Sequence, residues 1–201
     1  QRQMCIRDSM FRPIILASMF ETTLDVDNDA INADVMLRKD MKLDDTPGNT
    51  FQEDSYYPET EACNDLIKKV DEVIHEHIHP KFNTYNKWAH ILEPNEQTMI
   101  HTHDAPGAPP HVSWVYYSKT DPKCGNIVWQ STIHNKFFTQ EVTPKVGTLI
   151  MFPNWMPHFT KKNNSGNTRI SISGNAKPDE KDFDAVAQEP HNLFNLIGAV
   201  G

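Results

Sequence analysis

The sequence predicts a mainly β fold with flanking helices, built as a jelly roll or double-stranded β-helix. Two observations carry this. From Tyr85 onward the chain becomes a series of short runs of β-branched and aromatic residues divided by Pro, Gly, Asn and Asp, the spacing of a sandwich or barrel. About eight such runs occur, the strand number of a jelly roll: Tyr85–Leu92, Thr98–His103, Val112–Ser118, Asn126–Gln130, Phe137–Val142, Thr148–Phe152, His158–Thr160 and Thr168–Ser173. Ahead of them lies one strongly periodic helical segment, charged on its outer face, as expected of a helix covering a sheet.

Taken in order, residues 1–9 resemble a translated adapter and are set aside as a non-native leader, with Met10 a natural start. Residues 10–84 should supply an N-terminal strand and helices packed on the barrel. Phe11–Phe20 reads as the strand, since Ile14, Ile15, Leu16 and Met19 follow a proline. Ala30–Leu43 reads as a helix with Ile31, Val35 and Leu43 on one side, and 46–49 (Thr-Pro-Gly-Asn) as a turn. Pro58–His79 is the clearest helix: Leu66, Ile67, Val70, Val73, Ile74 and Ile78 recur at three- and four-residue spacing, and Pro80 ends it. Residues 85–176 form the β-helix core, and 177–201 a tail of the same domain that holds a short helix or frays.

Composition narrows the function classes. Of 201 residues, 19 are Lys or Arg and 27 Asp or Glu, and the net charge of -8 argues against a phosphate-neutralising surface and so against nucleic acid. Cys5, Cys63 and Cys124 lack CxxC spacing, so neither a thiolate zinc site nor a disulfide framework is read, and a reducing cytoplasm fits. The apolar stretch Pro13–Phe20 is interrupted by Ser18 and lacks a cationic leader with a clean small-residue cleavage site, so no signal peptide is read, and nothing approaches the apolar length of a membrane span. A monomer or homodimer acting on a small-molecule or peptide substrate is expected.

Two constellations carry chemistry. His101-Thr102-His103-Asp104 closes one predicted strand. Alternation puts His101 and His103 on the same face, roughly 6.5 Å apart at Cα, where two imidazoles can converge on one ion. His158 ends Phe152-Pro153-Asn154-Trp155-Met156-Pro157-His158, a turn stiffened by two prolines. A lone histidine is more often a surface or core residue, but three in such strand contexts point to a metal. The second constellation is Arg169-Ile170-Ser171-Ile172-Ser173, beginning eleven residues after His158. Its alternation sets Arg169, Ser171 and Ser173 against Ile170 and Ile172. A guanidinium inside a small barrel is costly unless an anion meets it, and a dicarboxylate would do so bidentately. The bland alternative is an outward Arg169 paired with an acidic residue.

The order HxH, loop, SxVYY, PxVGTLIxFPxWxPH and RISIS, strongest from Trp88 to Asn175, resembles the 2-oxoglutarate- and iron(II)-dependent oxygenases of marine bacteria and their phages, which are prolyl-hydroxylase-like. The resemblance implies iron(II), 2-oxoglutarate and dioxygen as cosubstrate, with His101 and His158 as iron ligands. It makes Arg169 the partner of the distal 2-oxoglutarate carboxylate, assisted by Ser171. The third ligand is either His103, at the position where most such enzymes have a carboxylate, or Asp104; alternation favours His103. Tyr116 and Tyr117 straddle one strand, so one of them faces inward toward the 2-oxoglutarate.

The implied reaction is hydroxylation of an amino-acid, peptide or small-molecule substrate, with succinate and carbon dioxide as coproducts. Alternatives are a cupin-type metal enzyme without 2-oxoglutarate, on the partial pattern Gly147, Pro153, His158, or a non-enzymatic jelly-roll binding module. His75, His77 and His79 on the long helix, and His111 in the loop 104–111, read as ordinary solvated or loop histidines. Trp88, Trp114, Trp129 and Trp155 read as mostly core, with one or two of them available to line the pocket.

Overall fold

The computed structural model describes residues 18–37, 57–104, 111–133 and 136–187. The leader, the turn 46–49, the loop 105–110 and most of the expected strand 11–20 lie outside them. Eight strands and three helices are present among the described residues: β1 (Phe20–Thr23), α1 (Asn28–Leu37), α2 (Glu61–His77), β2 (Phe82–Leu92), β3 (Val112–Lys119), β4 (Ile127–Ile133), β5 (Lys136–Val142), β6 (Thr148–Pro153), β7 (His158–Thr160), β8 (Arg169–Pro178) and α3 (Glu180–Ala187).

The strands form two antiparallel sheets, ordered β1-β6-β3-β8-β2 and β5-β4-β7. The larger sheet is two-sided, and strand alternation decides which residue goes where. Ala89 and Ile91 of β2, Trp114 and Tyr116 of β3, Leu149 and Met151 of β6, and Ile170 and Ile172 of β8 share one core with Ile31, Val35, Leu66, Val70 and Ile74 of the helices. The intervening residues Val115, Tyr117, Ile150 and Phe152 face the smaller sheet, where they pack with Ile127, Trp129 and Met156. The helices therefore cover the outer face and leave the inner face, with Arg169 and Ser171, for the site.

Helix ends follow local chemistry. Asp27 Oδ1 accepts from the Ala30 amide, and Thr60 caps α2 by accepting from Cys63, which sets the starts of α1 and α2. α2 ends at His77, so His79 has left the helix; it is buried, and its Nδ1 accepts from the Lys81 amide rather than facing solvent as expected.

One strand expectation lies mostly outside the described residues and another is corrected. Of the expected strand 11–20 only its last residue, Phe20, is seen in β1 (Phe20–Thr23), which, with alternate residues exposed and one large apolar side chain, carries little hydrophobic signal. Residues 98–103 do not form a regular strand. Their amides at Thr98, His101 and His103 reach only one neighbour each, the carbonyls of Thr160, His158 and Asn154, and the sole ladder contact is an isolated bridge between His101 and His158. Exposed Met99 and Ile100 mark this stretch as an extended edge of the smaller sheet.

Gly174 fixes the spacing of β2, β3 and β8. A Cβ there would lie 2.4 Å from Trp114 Cζ2 and 2.6 Å from the Asn86 carbonyl oxygen. Gly174→Ala should lower unfolding stability by about 1–3 kcal/mol through overpacking, measured by urea titration; an unchanged midpoint would show that the sheet yields there.

Candidate metal and anion site

The paired bridge sets the geometry. His101 and His158 exchange both backbone hydrogen bonds, at 3.0 and 2.9 Å, so their side chains leave the sheet on one face and their ring centroids lie 4.3 Å apart. His103, two residues on, returns to that face, and its amide is anchored by the Asn154 carbonyl at 2.9 Å. One ligand-capable atom from each of the three histidines lies within 4.8 Å of the others.

The tautomers follow from the partners. His101 Nδ1 faces the Met99 carbonyl and His158 Nδ1 the Met156 carbonyl, each at 2.9 Å. A carbonyl only accepts, so both Nδ1 atoms carry the proton and both Nε2 atoms keep a lone pair. His103 Nε2 lies 3.3 Å from His158 Nε2. Burial holds His101 below the ordinary histidine range, His158 down to about 3, and His103 down to about 2, with the neighbouring histidines adding to the effect on the latter two. Three neutral imidazoles converging in this way suit a divalent transition metal such as iron. Asp104 is exposed and outside the group, because the alternation that turns His103 inward turns it away.

Arg169 lies on the inner face of β8, 2% exposed, which removes the outward alternative. Its guanidinium donates to the Gly125 carbonyl at 3.1 Å and to Thr160 Oγ1 at 3.3 Å, sits 5.5 Å over the Tyr117 ring, and leaves Nε unpaired. No carboxylate among the described residues meets it. Burial pulls its pKa down while Tyr117 and Cys124 nearby favour the charged form. Gly125 delivers its carbonyl from a backbone at φ +90°, so close to Lys161 that a Cβ would lie 2.0 Å from that residue's oxygen.

A cavity of about 60 Å³ joins the two constellations, with His101, His103 and His158 on one wall and Tyr117, Arg169 and Ser171 on the other. Of the two tyrosines, Tyr117 faces it. Its hydroxyl is unpaired, and burial pushes its pKa up to about 12 against the opposing pull of Arg169. Tyr116 does not face the cavity: it points outward, donates to Asn28 Oδ1 at 2.7 Å under α1, and is corrected from an anion-binding candidate to a structural residue.

The sequence missed several residues. Thr160, on the shortest strand, partners Arg169. His90, directly opposite Ser171, lines the cavity; so does Trp88, one of the four tryptophans among which the sequence allowed a pocket residue, and it stacks on His103. His111 is buried, with the Tyr85 ring edge-on at 5.7 Å, rather than a plain loop residue. Beyond the cavity, on the side away from Arg169, the register aligns Asn86, Asn175 and Ser113 across three strands; Ser113 donates to Asn175 Oδ1 at 2.7 Å, and Asn86 Oδ1 is buried and unpaired. Period-two alternation of Asn and Ser was the available signal, but only the pairing register brings the three side by side.

Residues 86–175 match the sequence model of the family described as "Putative 2OG-Fe(II) oxygenase". No curated protein sequence matches the chain significantly. Among solved structures, a Pseudomonas putida prolyl-4-hydroxylase superposes with a TM-score of 0.63 at 17% identity, over 81% of this chain and 94% of that one. The 2-oxoglutarate-dependent carbocyclase SnoK from nogalamycin biosynthesis superposes with a TM-score of 0.62 at 10% identity, over 88% of each chain. The epimerase SnoN from the same biosynthesis does so at 0.62 and 12%, over 81% and 78%. At these identities the likeness is one of fold, that of the double-stranded β-helix, and no helix among the described residues is long and apolar enough to cross a membrane. Over residues 86–175, with that fold and the three converging histidines, the chain is similar to the 2-oxoglutarate- and iron(II)-dependent oxygenases.

Proposed function

We propose that this protein is a 2-oxoglutarate- and iron(II)-dependent oxygenase, a hydroxylase of an amino-acid, peptide or small-molecule substrate that forms succinate and carbon dioxide from 2-oxoglutarate. The observation that carries the reading is one cavity holding both a cluster of neutral histidines and a buried arginine that meets no carboxylate among the described residues.

His101, His103 and His158 would hold iron(II) through ring nitrogens. When bound, the metal with 2-oxoglutarate and dioxygen supplies the oxidising chemistry; the protein supplies binding, orientation and exclusion of water. The carbonyls of Met99 and Met156 fix two of the rings through Nδ1, which leaves the Nε2 lone pairs of His101 and His158 free to hold an ion. Arg169 would take the distal carboxylate of 2-oxoglutarate, with Ser171 and the Tyr117 hydroxyl beside it. The ligands contribute no negative charge, so the dianion and the metal would neutralise each other within the cavity. Substrate would approach from the side of Asn86, Ser113 and Asn175, which the strand register places away from Arg169.

Three outcomes are expected. Purified protein given iron(II), oxygen and 2-oxoglutarate should form succinate at a slow uncoupled rate that stops when the metal is chelated; metal-independent or absent turnover would remove the assignment. His158→Ala and His103→Ala should lose metal binding in calorimetry with an unchanged circular dichroism spectrum. Asp104→Ala should lose no more than the roughly 10- to 100-fold typical of a residue outside the ligand set, and the reverse order for His103 and Asp104 would restore a carboxylate triad. Arg169→Lys keeps the charge but not the planar fork. It should weaken 2-oxoglutarate binding by roughly ten- to hundred-fold, about 1.4 kcal/mol per factor of ten, while metal affinity without 2-oxoglutarate stays unchanged. Equal 2-oxoglutarate affinity would favour a cupin-type metal site.

A further inference from the structure

We infer that Trp88 is the positioning residue for His103, taking the place of the hydrogen bond that orients each of the other two histidines. The inference rests on the metal site proposed above. His101 and His158 each have Nδ1 held by the carbonyl two residues earlier. His103 breaks this pattern. Among the described residues no carbonyl or carboxylate takes its Nδ1; its ring contacts are His101, His158 and the indole of Trp88. That indole lies at 5.3 Å between centroids and 19° between planes, within the range of an offset stack. His103 is in turn nearly parallel to His158, at 5.1 Å and 8°, so the two imidazoles and the indole lie close to one orientation.

The one hydrogen-bond contact of the His103 ring, from Nε2 to His158 Nε2 at 3.3 Å, joins two atoms that would both turn to a metal, so with no acceptor at Nδ1 no hydrogen bond would then fix rotation about the Cβ–Cγ bond, and rotation would swing Nε2 out of the ligand set. A flat, rigid neighbour restricts that rotation through contact area. Trp88 suits the task because its backbone is fixed. It sits inside β2 opposite Ser173 of β8, in an unbroken register from Asn86 to Leu92. The segment that carries His103, by contrast, is an extended edge with few backbone hydrogen bonds. The indole thus links the most loosely held ligand to the most extensively paired strands. It also lies close enough to the ligand set for a paramagnetic ion to quench its fluorescence.

Anaerobic titration with cobalt(II), followed by visible ligand-field absorption, tests this on wild type, Trp88→Phe and Trp88→Leu. Phenylalanine keeps a ring to stack, so Trp88→Phe should bind within about threefold of wild type, whereas Trp88→Leu should bind roughly ten- to hundred-fold more weakly, the usual loss for an orienting partner of a ligand. In wild type the metal should quench a component of tryptophan emission that is absent from Trp88→Phe. Should Trp88→Leu not fold, Trp88→Met, flexible and without a ring, takes its place. Wild-type affinity in the ringless variant, or equal losses in the Phe and Leu variants, would overturn the role of Trp88 alone. Failure of wild type to bind cobalt would overturn the metal site itself.

Discussion

Everything at this site depends on a face of the large sheet that is not allowed to be apolar throughout. On β8 the residues Ile170 and Ile172 are fully buried under the helices, and the residues between them, Arg169, Ser171 and Ser173, face the other way. Because side chains alternate strictly, a one-residue slip of β8 would place a guanidinium against Leu66 and Ile74 and two isoleucines in the cavity. The hydrophobic contact with α1 and α2 therefore pins the register that presents Arg169 inward. Packing on one face specifies chemistry on the other.

The opposite wall obeys a different constraint. His101 and His158 are joined by a pair of backbone hydrogen bonds, and this single bridge, rather than a long ladder, brings the HxH segment to the turn after β6. The electrostatics of the two walls are complementary. Burial keeps the histidines neutral and available as ligands, while Arg169 stays buried with a carbonyl, a hydroxyl and the Tyr117 ring, and no carboxylate, as its partners among the described residues. Desolvating a cation without a counter-ion is expensive, and the arrangement makes most sense where a ligand supplies the negative charge.

How much of this the sequence discloses follows the range of the interaction involved. Alternation is local, so the placement of Arg169 and Ser171 against Ile170 and Ile172, and of His101 with His103, could be read directly, as could the helix of Leu66, Val70 and Ile74. Tyr116 and Tyr117 could be seen to straddle a strand, but which one faces inward depends on which face α1 covers, and that is tertiary. The edge strand β1 escapes because half-exposed residues carry little pattern, and 98–103 was overread because its polar and apolar residues mimic a strand that lacks a partner on one side. His79 and His111 are buried through contacts with distant chain, and the stack of Trp88 on His103 joins residues whose pairing no periodicity encodes.

The central claim is that the histidines and Arg169 form one site for a metal and a dicarboxylate together. Its most direct test is an anaerobic titration of the protein with iron(II) and 2-oxoglutarate, separately and combined, followed by visible absorption. A charge-transfer band that appears only when both are present, and that is absent when His158 is replaced, is the predicted result. Independent binding of the two with no band, or no binding of 2-oxoglutarate at all, would contradict the account.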